Sequence, residues 1–401
     1  MKFLLFGLAF FRRSVRATNP FANVPDELDF DDIPPKSSPV DDLDDLGFFF
    51  EGDPFEPEVL TDIAPTRRTR ATKSTPVLTG STRGSQAIAP VGFSLDKPKK
   101  FIPVEELVPV VSLTIAEGSV VHVEGVGRFK VDKTLYRDAE QSRIYRAYSL
   151  EDSSDRVVVK IGYADGITEL DREVLALERL VNVEGVVKLI YAPGTLYEDI
   201  RGRRFKFVVL DLLGVSLQDL IQTTYEQTGF PANLIAEIAI QTISILQAVH
   251  AENLVHGDVR PGNIMLTGER VGLIDFGHAR DLTEESKPDR FPKKDRLGGL
   301  SLSGLEARTP TPRDDLFSLG EVLMKCVNRN YTHFLGRLIA EVPKRTSMAD
   351  LAAIILGIKK HFVPSQVSGR NIPGLDEYMQ TVQSLGYDEL PDYNALMHLF
   401  V

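Results

Sequence analysis

Between residues 119 and 163 the chain is built of short apolar runs: SVVHVEGV, GRFKVDKTLY, SRIYRAYSL and RVVVKIGY. They are rich in Val, Tyr and Phe and are punctuated by turn residues, which predicts strands. Residues 167–181 (ITELDREVLALERLV) change to a helical pattern. Two more strand-like runs follow, VVKLIYA and KFVVLDLL. After Ser216 the pattern is helical. It is clearest in ANLIAEIAIQTISILQAVHAE, where apolar residues recur at three- and four-residue spacing. A β-rich half leading into an α-rich half predicts an α+β fold of two lobes with a cleft between them. The pattern puts this domain at about 115–401, with an N-lobe over about 115–213 and a C-lobe over about 214–401.

Residues 18–100 show no sustained period and hold many prolines, Asp pairs and Ser/Thr/Arg runs. Such a stretch buries too little surface to offset its ordering entropy. Residues 1–100 therefore read as a disordered leader. The FIPVEELVPVVSL stretch near 101–113 is apolar enough to dock on the domain that follows.

Charge sharpens this division. The 401 residues carry a formal net charge of −11. It is distributed as +4 over 1–25, −13 over 26–63, +7 over 64–100 and −9 over the rest. The acidic block, with phenylalanines at 48–50 and 55, is a candidate to bind a partner or to fold back on the domain. A solvated tail is the plainer reading. The overall sign argues against nucleic-acid binding through a basic face. At the extreme N-terminus FLLFGLAFF precedes Arg12, Arg13 and Arg16, which fits a signal peptide, an organellar presequence or a plain tail. A cytoplasmic or nuclear protein follows from the last, a secreted or organellar one from the others. Cys326, the single cysteine, excludes an intrachain disulfide and lies in an apolar helical run that predicts burial. No stretch reaches the ~18 apolar residues that a transmembrane segment needs.

The chemistry concentrates in two strings. His256-Gly257-Asp258-Val259-Arg260-Pro261-Gly262-Asn263 is followed by Leu273-Ile274-Asp275-Phe276-Gly277. An Asp, an Asn five residues on and a second Asp a dozen residues later suit phosphoryl transfer from a magnesium nucleotide. Asp258 would orient and deprotonate the attacking hydroxyl. Asn263 and Asp275 would hold Mg²⁺, which prefers hard oxygen ligands. Lys160, ending the run VVVK, would clamp the α/β-phosphates of ATP, and Glu173 on the next helix would orient it.

These residues resemble the eukaryotic protein kinase fold over roughly 125–400. VVLDLLGVSLQDLI, TPRDDLFSLGEVLM and the closing IPGLDEYMQTVQSLGYDELPDYNALMHLF are similar to the casein kinase 1 group. His-Gly-Asp in place of His-Arg-Asp resembles the vaccinia-related kinases of the same group. The resemblance implies a serine/threonine protein kinase acting on protein substrates. It implies Leu210 as gatekeeper, and a hinge from Asp211 to Leu213 that meets adenine through Leu213. Ile144, Val158 and Met265 would line the nucleotide. Asp315 would anchor the catalytic loop, and His256 would brace Phe276. Arg260 stands where most relatives have Lys and can still reach the γ-phosphate.

Two departures mark the chain as divergent. KTLYRDAEQSRIYRA, where the resemblance calls for a glycine-rich phosphate lid, has no glycine. Backbone amides then cannot approach phosphates as closely. Weaker ATP affinity, or a lid that uses Arg137 or Arg143, follows. In GGLSLSGLEA, Gly299 and Ser301 replace group residues, so phospho-primed specificity does not carry over. A pseudokinase or allosteric binding module is the alternative that the bare lid raises. A small-molecule phosphotransferase is the alternative raised by His-Gly-Asp, Asn and Ile-Asp-Phe.

Overall fold

A computed structural model describes Asn19, Phe21, Val24, 111–137, 141–284, 299–328, Val342 and 345–401. The acidic and basic blocks of the leader lie outside the described residues, as does the tip of the lid at 138–140.

The N-lobe is a twisted sheet of short strands. In chain order they are β1 (Val111–Ser112), β2 (Val120–Val123), β3 (Gly127–Arg137), β4 (Ser142–Ser149) and β5 (Arg156–Tyr163). After helix α1 (Asp165–Arg179) come β6 (Leu189–Tyr191), β7 (Tyr197–Glu198) and β8 (Arg204–Asp211). Their spatial order is β1-β7-β8-β5-β4-β3-β2, with β6 also on β8. The strand period of two divides each strand's residues between two faces. Val157, Val159 and Ile161 of β5 join Tyr145, Phe205, Phe207 and Val209 in the N-lobe core. Val158 packs instead with the core that continues into the C-lobe, as do Val208 and Leu210. α1 covers that second face. Its buried positions Leu170, Glu173, Ala176 and Leu177, with Leu180 just beyond, follow the i, i+3, i+4, i+7 stripe of an amphipathic helix.

The C-lobe is mostly helical. A bridge strand, β9 (Val215–Ser216), leads into α2 (Leu217–Gln222) and α3 (Ala232–Ala251). Strands β10 (Leu254–Val255), β11 (Ile264–Thr267), β12 (Arg270–Leu273) and β13 (Arg280–Asp281) follow. Then come α4 (Leu302–Leu305), α5 (Pro312–Val327), α6 (Met348–Lys359), α7 (Pro364–Ser368), α8 (Leu375–Ser384) and α9 (Tyr393–His398). α5 starts with Pro312 behind a Thr311–Asp314 capping box, in which each side chain accepts from the other's backbone N–H. α3, contrary to the expectation that no stretch qualifies, is long and apolar enough to cross a membrane by length and composition. Here it lies in the C-lobe core, with Leu234, Ile235, Ile238, Ile243, Leu246 and Val249 all buried. Cys326 is buried as expected, and burial pushes its thiol pKa up.

One short piece of the leader belongs to this core. Phe21 and Val24 are buried within the same cluster as α3 and β12. The Val24 N–H donates to the Phe21 carbonyl (2.9 Å), and the Asn19 side chain donates to Glu269 in the β11–β12 turn (3.0 Å). Two apolar side chains close in sequence can be buried without any periodic pattern, so no periodicity marks them.

Candidate active site

The register of the N-lobe sheet assembles one wall of the cleft. Tyr136 lies opposite Ile144, Ile144 opposite Lys160, and Lys160 opposite Val208. Directly opposed residues share a face, so these four form a row across the sheet. Val158, opposite Leu210, lies two residues along on the same face. Tyr136 is a cleft residue that the sequence reading missed. Counting strand register outward from Lys160 would have found it.

The same period corrects the expectation for the lid. Arg143 is adjacent to Ile144 and so lies on the other face, with Tyr145. Its guanidinium sits over the Tyr163 ring at 5.3 Å, and Arg203 covers the same ring at 4.5 Å. Arg137 is paired with Arg143 in the register. Within the described part of the hairpin, both arginines therefore sit on the face away from the cleft.

Lys160 is the electrostatic centre. Its ammonium lies 2.7 Å from Asp275 Oδ1 and 2.8 Å from Glu173 Oε2. Burial disfavours the charge, but the two carboxylates outweigh it and hold the lysine protonated well above its ordinary pKa. Burial also opposes ionisation of Asp275. Lys160, with help from Arg260 and His256, overcomes this and holds the carboxyl far below the usual range. Glu173 is deeper, at 1% exposure, and is repelled by Asp275, so burial moves its pKa up. One cation shared by two acids gives this split.

The loop after β10 carries the second group. Asp258 Oδ2 accepts from Arg260 Nε (3.0 Å) and from Asn263 Nδ2 (2.9 Å). Asn263 Nδ2 also donates to the Asp258 carbonyl (2.9 Å). The amide nitrogen is thus committed to Asp258, and its oxygen is left as an acceptor. With the Asp275 carboxylate, it makes a donor set of hard oxygens that suits Mg²⁺.

Three buried groups fix this loop. His256 Nε2 donates to the Ile274 carbonyl (3.0 Å), while Nδ1 accepts from the Asp258 N–H (3.1 Å). Its ring meets Phe276 edge-on at 4.6 Å. Asp315 at the start of α5 accepts from the backbone N–H groups of His256 (2.7 Å) and Gly257 (2.9 Å). His250 Nε2 donates to the same carboxylate (2.9 Å), and its Nδ1 accepts from the Tyr393 hydroxyl (2.7 Å). Burial opposes the Asp315 charge, but the His250 bond and the amides win and lower its pKa. Asp275 itself has left-handed backbone, φ 66° and ψ 72°. A non-glycine residue held there stores strain of the kind found at functional sites.

At the back of the cleft, Asp211 ends β8 with its N–H on the Lys188 carbonyl (3.0 Å). Burial raises the pKa of its side chain. The hinge turns at Gly214, whose N–H donates to Thr267 Oγ1 (2.8 Å). A Cβ there would stand 2.0 Å from the Leu266 carbonyl, so only glycine permits this approach. Leu213 packs against Gly272 on β12. Met265 alternates with Ile264 and Leu266, which are buried in the C-lobe core, and so points to the opposite side. Ser301, in the divergent substrate-side stretch, caps α4 by accepting from the Gly304 N–H.

A sheet-rich lobe over a helical one, with a Lys–Glu pair and an Asp–Asn loop facing each other, defines a phosphotransferase of the kinase class. The protein kinase domain family matches residues 140–350, more than half of the chain, and the chain belongs to that family. Within it the similarity is to casein kinase I proteins, as a divergent member. The chain is 30% identical over 217 residues to casein kinase I homolog 2 of Schizosaccharomyces pombe, covering 48% of this chain and 45% of that protein. It is 26% identical over 220 residues to a probable serine/threonine-protein kinase of fowlpox virus, covering 52% and 66%. It is 28% identical over 222 residues to nucleosomal histone kinase 1 of Drosophila melanogaster, covering 53% and 35%. The chain thus matches from about a third to two thirds of these relatives' length.

Proposed function

We propose that this protein transfers the γ-phosphate of Mg-ATP to serine or threonine hydroxyls of protein substrates. The observation that carries the reading is the convergence of Lys160, Glu173 and Asp275 with a loop that holds Asp258 and Asn263 in one hydrogen-bonded unit. Lys160 is permanently charged and oriented by Glu173, so it meets the nucleotide's phosphates without reorganising. Asp258, positioned by Arg260 and Asn263, accepts the proton of the attacking hydroxyl. Arg260 spans from Asp258 toward the phosphate side of the cleft. Tyr136, Ile144, Val158, Leu210, Leu213 and Met265 provide the apolar slot for the base. Asn263 and Asp275 would hold magnesium, which neutralises phosphate charge when bound.

The test is phosphorylation of casein by the full chain with labelled ATP and Mg²⁺. Incorporation on serine or threonine that is abolished by Asp275→Asn supports the reading. Absence of incorporation, or incorporation undiminished in that variant, overturns it. A thermal-shift titration with Mg-ATP separates the binding-module alternative, because ligand binding stabilises the fold by mass action even without turnover.

A further inference from the structure

α1 is tied to the C-lobe along its length. Arg172, one residue before Glu173, donates from Nη1 to the Gly277 carbonyl (2.6 Å). Arg179, in the last turn, reaches the Asp281 carboxylate and the Glu252 carbonyl. Between these two ties lies His278. Its carbonyl fits against Gly257, where a Cβ would stand only 2.7 Å away and where φ is +77°. A side chain at 257 is therefore doubly disfavoured. The catalytic loop and the segment leaving Asp275 meet backbone to backbone.

Glu173 sits on the same helix face as Arg172's neighbours and points to Lys160. Any rotation of α1 away from the cleft would break the Gly277 and Asp281 ties as well as the Lys160–Glu173 pair. The anchors are a neutral carbonyl on one side and a carboxylate of the chain's own on the other. Neither needs an added phosphate. We propose that Arg172 and Arg179 are positioning residues that hold the Lys160–Glu173 pair assembled. The protein then works without phosphorylation of the segment that follows Asp281. This rests on the kinase reading above.

The experiment uses the full chain as wild type, Arg172→Ala, Arg172→Lys and Arg179→Ala. Each is assayed before and after phosphatase treatment, with kcat and KM for Mg-ATP measured on casein. Wild-type activity is expected to survive phosphatase. Arg172→Ala is expected to lose roughly 100-fold in kcat/KM, as misplacement of about 1 Å can cause. Most of that loss should fall in kcat, and Arg172→Lys, which keeps a donor for the Gly277 carbonyl, should recover most of it. Arg179→Ala should show a smaller loss of the same kind. Wild-type kinetics in Arg172→Ala, a loss that lysine does not recover, or a wild type silenced by phosphatase overturns the proposal. If the wild type transfers no phosphate at all, the kinase reading fails instead. Amide hydrogen exchange then decides on the ties alone: faster exchange across 165–179 in Arg172→Ala sustains them, and unchanged exchange overturns them.

Discussion

Single residues set the charge of this site. Asp275 and Glu173 face one ammonium, and only Asp275 has the further support of Arg260 and His256. Asp275→Asn keeps the shape but removes the charge. Phosphotransfer is expected to fall by roughly 10²–10³-fold, the usual scale for loss of one preorganised electrostatic group. A labelled-phosphate assay reads this directly. Asp315 gives a second residue-scale prediction. Its folded pKa lies below its unfolded value, so the stability it contributes is present above the unfolded carboxylate pKa of ~3.9. That contribution is lost as pH falls through the lower, folded value. Urea unfolding from pH 7 down to acid should show a steeper acid loss in wild type than in Asp315→Asn, which should be less stable throughout. An equal acid slope in both would contradict the assignment.

Elements carry these residues to their places. α5 brings Asp315 under the catalytic loop, and α9 brings Tyr393 to His250, so the C-terminal helix reaches the loop through two side chains. Tyr393→Phe removes one hydrogen bond from this chain and should cost about 1 kcal/mol, seen as a lower urea midpoint with an unchanged slope. α6 closes the C-lobe differently. Lys359 is fully buried, donating to the Leu300 carbonyl (2.9 Å) and pairing with Glu321 (2.8 Å). Lys359→Ala leaves Glu321 without that cation, and a loss of about 3–5 kcal/mol is expected in the same measurement.

Much of this was legible in the sequence because it rests on local rules. The runs 127–136, 142–150 and 156–163 fall on β3, β4 and β5, and 232–252 falls on α3. The helix expected at 167–181 begins two residues earlier, since Gly166 can start it without a side-chain cap. Lys160, Glu173, Asp258, Asn263 and Asp275 could be named from spacing, and the structure places them around one cleft. Tyr136 and Arg172 could not. Tyr136 depends on cross-strand register, and Arg172 depends on a backbone carbonyl that any residue could have supplied. Arg143 shows the converse: its charge suggested a phosphate role, but its strand parity turns it onto Tyr163.

On the scale of the whole molecule, two cores share one sheet. The outer face closes the N-lobe on itself, while the cleft face and α1 continue into the C-lobe cluster. That cluster also takes in Phe21 and Val24, far away in sequence. Phe21→Ala should lower stability by about 1.5–3 kcal/mol, the value of burying one such side chain. Calorimetry of the full chain would show it as a lowered Tm, and an unchanged Tm would mean that the Phe21 contact contributes nothing.

The burial of α3 has a consequence for synthesis. Its twenty residues leave the ribosome before the helices that cover them, since α5 begins 61 residues beyond Ala251 and α9 begins 142 residues beyond it. At roughly 5–20 residues per second, α3 waits about 7–30 s for Tyr393 to be made. During that interval the nascent chain exposes a stretch as greasy as a membrane span. Chains stopped short of α9 should therefore be the ones that engage chaperones or precipitate, whatever the state of their active-site residues.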